Sequence, residues 1–210
     1  MNNYIEALQW RYATKKFDPT RKISDEDIKY LKDAVQLSVS SYGLQPYTVI
    51  VVKDQSTKEK LREAGYNQSQ ITDSSHLFVF AHQTDFGEEL VNTFIDSAAE
   101  IRKMDKKDLK PYEDMMKNSL IPLPQETKSN WTARQAYIAM GTLISAAALK
   151  NIDACPMEGF QNEDFNKILN LTDRNLNAVA ITAVGYRSAE DEAQHYAKVR
   201  REQQTLFETI

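Results

Sequence analysis

The sequence predicts an α+β protein, with one domain over residues 1–210 in which a small sheet carries helices on its faces. Two observations predict this fold. Short runs rich in β-branched and other apolar residues, which favour strands, lie between segments whose apolar residues repeat with helical spacing. The composition, 41% hydrophobic and 27% charged in a chain of 210 residues, is typical of one ordinary globular domain.

The segment Ala136–Leu149 predicts a helix that is buried on every side. Only Thr142 and Ser145 interrupt its apolar residues, which lie all around a helical wheel. The helix is roughly 21 Å long at about 1.5 Å per residue, too short to cross a bilayer core. A small domain covers such a helix only with difficulty, so we expect a subunit interface to cover part of it. Its ends are predicted from capping residues, Ser129 or Asn130 at the start and Lys150 with Asn151 at the end.

The remaining regular elements follow from spacing and capping signals. Ser24 and the acidic residues after it form a capping-box start. Helices are predicted over Asn3–Arg11, Ser24–Leu37, Thr57–Ala64, Glu88–Arg102, Asp108–Met116 and Asn162–Leu169. Strands are predicted over Thr48–Lys53, His76–Gln83 and Leu176–Tyr186.

Two polar loops and two polar segments complete the chain. Gly43 and Pro46 break any regular structure in the loop SSYGLQPY. After the central helix the chain is expected to extend through IDAC and to break at Pro156 into the loop PMEGF. The segment from about Asp85 to Gln125 is charged, carries methionines and ends in LIPLP, which we interpret as an excursion from the core. The tail from Ser188 onward is polar and charged.

Charge and composition exclude several classes of function. A net charge of −4 and a pI of about 5.5 argue against a surface for nucleic acid or anionic membrane. The N-terminus has no basic segment followed by an apolar core, and no run reaches the length of a membrane span, so neither a signal peptide nor a membrane anchor is expected. A single cysteine argues against a disulfide framework and favours a reducing cytoplasm.

Several residues with reactive side chains have plain structural interpretations. Cys155 has no histidine near it in sequence, so a buried structural thiol is favoured over a nucleophile. His76 and His82 lie about 20 Å apart along one predicted strand, too far to share a metal ion, and no metal is expected. The sequence has neither a G-x-G-x-x-G after a strand nor a P-loop, so neither of these nucleotide sites is indicated.

The features that remain are basic positions near both ends of the chain and the two polar loops. Taken singly, each is typical of a solvated surface. In their order and spacing they resemble the nitroreductase family of flavin enzymes over nearly the whole chain. The P-x-E-G-F run after a central helix is the most specific feature. The matching residues are Arg11 and Lys15 before Phe17 and Asp18, Ser40 and Ser41 before Gln45 and Pro46, Asn67, Gln135, Pro156 to Phe160, and Lys198 with Arg200.

The resemblance implies a fold and an activity. The fold is a four- or five-stranded, mostly antiparallel sheet flanked by helices, in an intertwined homodimer that binds FMN at the subunit interface. The partner subunit then covers the apolar central helix. The activity takes a hydride from NADH or NADPH and passes two electrons to nitroaromatics, quinones or similar small-molecule acceptors, with ping-pong kinetics. The segment of residues 85–125 would cover the active site, and the tail of residues 188–210 would pack on the dimer.

The resemblance also implies roles for individual residues. Arg11, Lys198 and Arg200 neutralise the FMN phosphate through charge-assisted hydrogen bonds. Lys15 stabilises negative charge on the reduced flavin, and the backbone N–H of Glu158 donates to flavin N5. Because the flavin carries the hydride, no side chain is expected to act as acid or base. The other implied cofactor-binding residues are Tyr12, Ala13, Ser40, Ser41, Asn67, Gln135, Pro156, Met157 and Gly159.

Some positions depart from the family pattern. Ala13 stands where a serine often contacts the phosphate. Tyr42 and Leu44 stand in a loop where many members have asparagine and small polar residues, so we expect them to narrow the acceptor pocket. Leu120 and Leu123, at the end of the covering segment, are expected to line the same pocket.

Other functions stay open at this point. One is a family member that binds flavin without turnover, or that uses its flavin for another reaction such as flavin fragmentation or dehalogenation. Another is a non-enzymatic interaction protein built on a helical dimer. The cationic residues argue against this last function, because a dimer alone needs no phosphate site.

Overall fold

The structure, a computed structural model that describes residues 3–210, contains an antiparallel sheet of four strands. Met1 and Asn2, which belong to the predicted domain, lie outside the described residues. The sheet confirms the α+β fold and the three predicted strands. In the spatial order β1-β2-β4-β3, the strands are β1 (Tyr47–Val52), β2 (His76–Gln83), β3 (Asp153–Met157) and β4 (Leu176–Gly185).

Helices cover both faces of this sheet. Helices α1, α2, α3, α5 and α8 lie within two residues of their predicted bounds, and the Ser24 side chain accepts the backbone N–H of Asp27 as a cap. None of the helices in residues 3–210 combines the length and apolarity needed to cross a membrane. Their bounds are α1 (Tyr4–Trp10), α2 (Asp25–Gln36), α3 (Gln55–Ala64), α4 (Gln70–Asp73), α5 (Glu88–Arg102), α6 (Lys106–Leu120), α7 (Gln125–Leu149), α8 (Asn162–Ile168) and α9 (Gln203–Leu206).

The central helix α7 begins earlier than predicted. Its first residue is Gln125, directly after Pro124, so the predicted cap at Ser129 or Asn130 is wrong. The first turn is polar and therefore lacks the apolar pattern that marks the rest of the helix. It is held by Lys128, whose ammonium donates to the carbonyl of Phe86 at 2.9 Å and pairs with Asp85 at 3.2 Å.

Strand β3 corrects a second prediction. The chain does not break at Pro156, because Pro156 pairs with Thr182 of β4 inside the strand. The order of the sheet explains why a proline is tolerated there. Strand β3 lies at the edge of the sheet, where one missing N–H leaves no interior hydrogen bond unmade.

Each face of the sheet has its own apolar core. On one face, Phe78 and Phe80 of β2 pack with Ala139 and Leu143 of α7 and with Leu31 of α2. On the other face, side chains of β2, β4, α3, α4 and α8 meet in a second cluster, which includes Val79, Ile181, Leu61, Ile71 and Phe165. Helix α7 is thus the principal cover of one face.

One side of α7 is exposed in this chain. Ile138 is 41% exposed and Leu149 is 36% exposed, and a Cβ added to Gly141 would meet nothing within 4 Å. Helix α1, which packs on α7, adds the exposed Tyr4 and Ile5. We call these five residues the open face. The chain by itself therefore leaves one side of the helix uncovered, and its cover by a second subunit stays a prediction.

Helices α5 and α6 pack against each other and form a helical hairpin. The segment predicted as an excursion from the core thus has an apolar core of its own. Lys117 of α6 joins the two helices at the surface through an ion pair to Glu88 of α5 at 2.9 Å, and it also pairs with Glu113 within α6 at 2.7 Å. The buried residues of this third cluster include Leu44, Phe86, Val91, Ile95, Leu109, Met116 and Leu120.

Candidate cofactor-binding site

The two ends of the chain meet around a cavity of about 370 Å³. The N-terminal part of its wall follows helix α1, and the C-terminal part lies in the tail. We call it the cationic cavity. Five of the predicted site residues line it, namely Arg11, Tyr12, Ala13, Lys198 and Arg200. The structure therefore brings together residues from opposite ends of the sequence.

The cations in this cavity lack carboxylate partners among residues 3–210. Lys198 Nζ donates to the carbonyl oxygens of Leu8, at 2.7 Å, and Arg11. Burial and then the charge of Arg200 lower the pKa of Arg11, while burial and then the charges of Arg11 and Arg200 lower the pKa of Lys198. The buried Nε of Arg11 has no hydrogen-bond partner within residues 3–210. Three mutually repelling cations with an unpaired donor fit an anion with several oxygens, such as a phosphate.

Asp191 holds the two ends of the chain together beside the cavity. Its side chain is buried at 2% exposure and accepts the Tyr12 hydroxyl at 2.8 Å and the backbone N–H groups of Lys15, Lys16 and Ala193 at 2.8, 3.1 and 3.1 Å. Burial by itself would raise the pKa of Asp191, but these hydrogen bonds outweigh it and lower the pKa. Asp191 thus stays ionised and fixes the segment that carries Arg11 and Lys15.

The N-terminal segment also runs beside strand β3. Ala13 forms a parallel bridge with Ala154, which brings Lys15 close to Cys155. Cys155 is buried, as predicted for a structural thiol, and its burial raises the pKa of the thiol against the opposing charges of Lys15 and Arg11. The cations therefore lie near the strand whose end carries Glu158 and Gly159.

The end of β3 is an exposed turn held by two side chains. The hydroxyl of Tyr137 donates to Glu158 Oε1 at 2.7 Å, and Gln68 Nε2 donates to the carbonyl of Gly159 at 2.7 Å. Pro156 and Met157 precede this turn within the strand. Asn67, the residue before Gln68, is exposed and takes a positive φ of 56°. Sequence reasoning named Asn67 but missed Gln68 and Tyr137, whose partners are distant in sequence.

A second group of predicted residues lies apart from the cationic cavity. Gln135 is buried at 5% exposure, and its Oε1 accepts the backbone N–H of Ser41 at 2.8 Å while its Nε2 donates to the carbonyl of Trp131 at 3.1 Å. Ser40 Oγ accepts the backbone N–H of Gln45 at 3.0 Å. None of these residues lines the cationic cavity. Within the chain, Gln135 holds the Ser40–Ser41 loop in place.

The loop after Ser41 is strained and rests on the helical hairpin. Tyr42 has φ 57° and Gln45 has φ 43°, values that non-glycine side chains rarely adopt. A Cβ added to Gly43 (φ 79°) would lie 3.1 Å from the ring of Phe94. The ring of Tyr112 lies 6.5 Å from that of Tyr42. The close approach of α5 therefore requires the small residue at position 43.

The four predicted pocket residues all join the cluster of the hairpin. Tyr42 and Leu123 are partly buried against it, and Leu44 and Leu120 are buried in it. Leu44 also lines a groove of about 480 Å³ between the loop and α5. Leu120, at 4% exposure, packs inside the hairpin in this conformation.

Fold and site together define an α+β protein with an antiparallel sheet and a cationic cavity of about 370 Å³ where the two ends of the chain meet. The protein-family model described as "Nitroreductase family" matches residues 8–186 of this sequence. The chain therefore belongs to the nitroreductase family, as the resemblance in its sequence predicts.

Two bacterial relatives support this assignment over most of the chain. The Bacillus subtilis (strain 168) protein named "Putative NAD(P)H nitroreductase YfkO" is 33% identical over 194 residues, which cover 87% of this chain and 88% of the relative. The Staphylococcus epidermidis protein named "Putative NAD(P)H nitroreductase SERP2086" is 32% identical over 220 residues, covering 98% of this chain and 96% of the relative.

Solved structures show the same fold. A protein from Exiguobacterium sibiricum, described as a "putative nitroreductase in complex with FMN", superposes with a TM-score of 0.87 at 18% identity over 100% of this chain and 98% of that chain. A nitroreductase-like protein from Streptococcus mutans superposes with a TM-score of 0.86 at 18% identity, covering 100% of this chain and 99% of the other.

Proposed function

We propose that this protein is an FMN-dependent oxidoreductase. It takes a hydride from NADH or NADPH and passes two electrons to a small-molecule acceptor such as a nitroaromatic or a quinone. The observation that carries the proposal is the cationic cavity, where the buried Nε of Arg11 has no partner in the part of the chain that the structure describes, and Lys198 and Arg200 add positive charge. The names of the relatives include NAD(P)H, and the Exiguobacterium structure contains FMN, which supports the same function.

The residues present fit FMN at its phosphate end. Arg11, Lys198 and Arg200 would hold the phosphate, whose negative charge offsets both the burial and the mutual repulsion that lower the pKa of Arg11 and Lys198. Ala13 has no hydroxyl to offer, so these three cations carry the phosphate contact. The hydroxyl of Tyr12 is held by Asp191, which fixes the Tyr12 ring in the wall of the cavity.

The residues near the end of β3 fit the flavin ring. Bound FMN supplies the hydride chemistry, and the chain supplies binding, orientation and electrostatics. Lys15, whose backbone is fixed by Asp191, would place an ammonium near the negative charge of reduced flavin. The backbone N–H of Glu158 would donate to flavin N5, with Pro156 against the ring and Asn67 at its edge.

We propose that the working form is a homodimer. The open face is apolar and central, and a second copy would cover it. The cationic cavity contains neither the Ser40–Ser41 loop nor Gln135, so the loop of a second copy would complete each cofactor site. The tail of residues 188–210 exposes Val199, Phe207 and Ile210, which would pack on the dimer.

The helical hairpin and the loop beneath it would control entry of the acceptor. Tyr42 and Leu44, which pack in the cluster of the hairpin, would narrow the space under it, and the segment of residues 85–125 would cover the active site. With one open side of the flavin, the nicotinamide and the acceptor would occupy the same space in turn. This predicts ping-pong kinetics, with parallel double-reciprocal lines.

The test starts with the colour of the purified protein. Bound flavin makes it yellow, and extraction should release FMN, whereas FAD would contradict the proposed cofactor. NADH or NADPH should bleach the colour under anaerobic conditions, and a panel of quinones and nitroaromatics should restore it. A yellow protein that no nicotinamide cofactor bleaches is a flavin-binding protein without this turnover. Intersecting double-reciprocal lines would exclude a shared site.

A further inference from the structure

The turn at Glu158 and Gly159 is exposed, yet it is held from two sides by side chains of other elements. We call it the β3 turn. On one side lies Tyr137 of helix α7, and on the other lies Gln68 of the connection between α3 and α4. Exposed turns are usually mobile. The β3 turn is therefore fixed more firmly than its exposure would predict.

Each of the two side chains makes a double contact. The Tyr137 hydroxyl lies 2.7 Å from Glu158 Oε1 and 3.3 Å from the carbonyl of Val179 in β4. Gln68 Nε2 donates to the carbonyl of Gly159 at 2.7 Å and to the carbonyl of Gly65 at 2.9 Å. Both side chains thus join the turn to rigid parts of the fold, the sheet for Tyr137 and the end of α3 for Gln68.

Among residues 3–210, the remaining contacts of the turn leave the backbone N–H groups of Glu158 and Gly159 without an acceptor. The backbone N–H of Phe160 donates to the carbonyl of Glu158 at 3.0 Å, and the backbone N–H of Gln161 donates to the carbonyl of Ala64 at 2.9 Å. Among the hydrogen bonds of residues 3–210, none is donated by the backbone N–H of Glu158. A free N–H in a clamped, exposed turn has a fixed direction and is available to a ligand.

Tyr137 is suited to act as a permanent donor. Burial and then the hydrogen bond to Glu158 raise the pKa of Tyr137 to about 12, so the phenol keeps its proton at neutral pH. The Glu158 carboxylate is exposed, so water can solvate it without a protein partner. The hydrogen bond from Tyr137 therefore serves to fix the position of the Glu158 side chain.

We propose that Tyr137 and Gln68 are positioning residues that together fix the direction of the Glu158 backbone N–H toward flavin N5. The proposal rests on the proposed function, because it requires a bound flavin. Nitrogen N5 of oxidised flavin has a lone pair that accepts this bond, whereas N5 of reduced flavin carries its own proton. A loosened turn should therefore weaken the binding of oxidised flavin more than that of reduced flavin, and the midpoint potential of the bound flavin should rise.

The experiment compares Tyr137→Phe and Gln68→Met with the parent protein. Each variant keeps the size of the side chain and removes its donors. The control is Tyr66→Phe, which removes an exposed phenol hydroxyl from the connection that also carries Gln68. The midpoint potential of bound FMN is measured against reference dyes, and FMN dissociation constants and melting temperatures of the apoproteins are measured beside it.

We expect both variants to change the ratio of the oxidised and reduced dissociation constants by about tenfold, which corresponds to about 30 mV for two electrons. Tyr66→Phe should leave the potential unchanged. If the midpoint potential is unchanged in both variants and only the melting temperature falls, the proposal is wrong. The hydrogen bonds of Tyr137 and Gln68 would then only stabilise the fold. The parent protein tests the proposed function separately, because a parent that binds no FMN contradicts that function whatever the variants do.

Either variant alone decides the outcome if the other fails to fold, since the two clamp the same turn from opposite sides. Amide hydrogen exchange of the apoprotein gives a second readout that needs no flavin. Exchange at Phe160 and Gln161, whose backbone N–H groups are hydrogen-bonded at the turn, should be faster in both variants and unchanged in Tyr66→Phe. Equal exchange rates in all proteins would contradict the clamp itself.

Discussion

The carboxylate of Asp191 accepts the backbone N–H of Lys15 at 2.8 Å, across 176 positions of sequence. With its contacts to Tyr12, Lys16 and Ala193, it joins the segment that carries Arg11 to the start of the tail that carries Lys198 and Arg200. The cavity that these cations line therefore depends on one buried anion that does not itself line it.

Replacement of Asp191 should weaken cofactor binding as well as stability. In Asp191→Ala the Tyr12 hydroxyl and three N–H groups lose their acceptor, and each buried unpaired group costs on the order of 1–3 kcal/mol. We expect a clear fall in melting temperature and at least tenfold weaker FMN binding, measured by titration of the apoprotein. The control Glu190→Gln alters a neighbouring exposed carboxylate in a 3.9 Å ion pair and should change neither quantity. Unaltered FMN affinity in Asp191→Ala would show that the cavity forms without this link.

Removal of two cations should reduce FMN affinity without dissociating a dimer. Each charged hydrogen bond to phosphate contributes on the order of 1.5–3 kcal/mol, and 1.4 kcal/mol corresponds to tenfold. The double variant Lys198→Ala with Arg200→Ala should therefore bind FMN roughly 10²-fold more weakly. The exposed Lys16→Ala is the matched control, since Lys16 points its ammonium at Glu190. FMN binding as tight as that of the parent would assign these two cations to the solvated surface.

The open face should be the interface between two copies of the chain. A charge at its centre would be buried without a partner, so Ile138→Glu should give monomers in sedimentation velocity. If a second copy completes the cofactor site, FMN binding should be lost together with the dimer. Ile101→Glu, at a position of the hairpin that is 80% exposed, should leave the assembly intact. An Ile138→Glu protein that stays dimeric would place the interface elsewhere.

The sequence was sufficient to predict those helices and strands whose boundaries depend only on their own residues. Strand β2 is a continuous apolar run, and α5 begins and ends at its predicted residues. The start of α7 could not be predicted, because its first turn is polar and is held by the long-range contact of Lys128 with Asp85. A strand end was predicted at Pro156 because the sequence does not reveal that β3 lies at the edge of the sheet.

The candidate site was predictable only where family spacing marks it. Arg11 and Lys198 were identified by resemblance, and nothing in their local sequence shows that they meet. The residues that hold other residues in position have no recognisable spacing in the sequence. Gln68 contacts Gly159 across 91 positions, and Tyr137 contacts Glu158 across 21, so neither contact follows from local pattern.

Substitutions of Leu120 and Leu123 should have different effects, the first on the stability of the protein and the second on its choice of acceptor. Leu120 is 4% exposed in the cluster of the hairpin, so Leu120→Ala should destabilise the protein by about 2–5 kcal/mol in urea unfolding. Leu123 is only partly buried, so Leu123→Ala should change KM and the preference between quinones and nitroaromatics with a smaller loss of stability. A stable Leu120→Ala protein with altered KM would instead assign Leu120 to the acceptor pocket.

Protonation of His76 should destabilise the protein on acidification. His76 is buried in β2, and its Nδ1 lies 3.0 Å from Ser75 Oγ. Burial, followed by the charges of nearby lysines, lowers the pKa of His76 from 6.5 to about 4. The folded chain therefore resists protonation that the unfolded chain accepts. The resulting stability is complete above about pH 6.5 and is lost as the pH falls toward 4.

The measurement is the free energy of unfolding in urea at pH 7 and at pH 4.5. The difference between the two pKa values corresponds to roughly 3 kcal/mol at most, part of which should be lost between these pH values. His76→Gln cannot be protonated, so its stability should fall less than that of the parent over the same interval. Carboxylates contribute equally to the pH dependence of both proteins, which leaves the difference to His76. The exposed His195→Gln serves as the control and should follow the parent. Equal losses in the parent and in His76→Gln would show that His76 is protonated at a similar pH in both states.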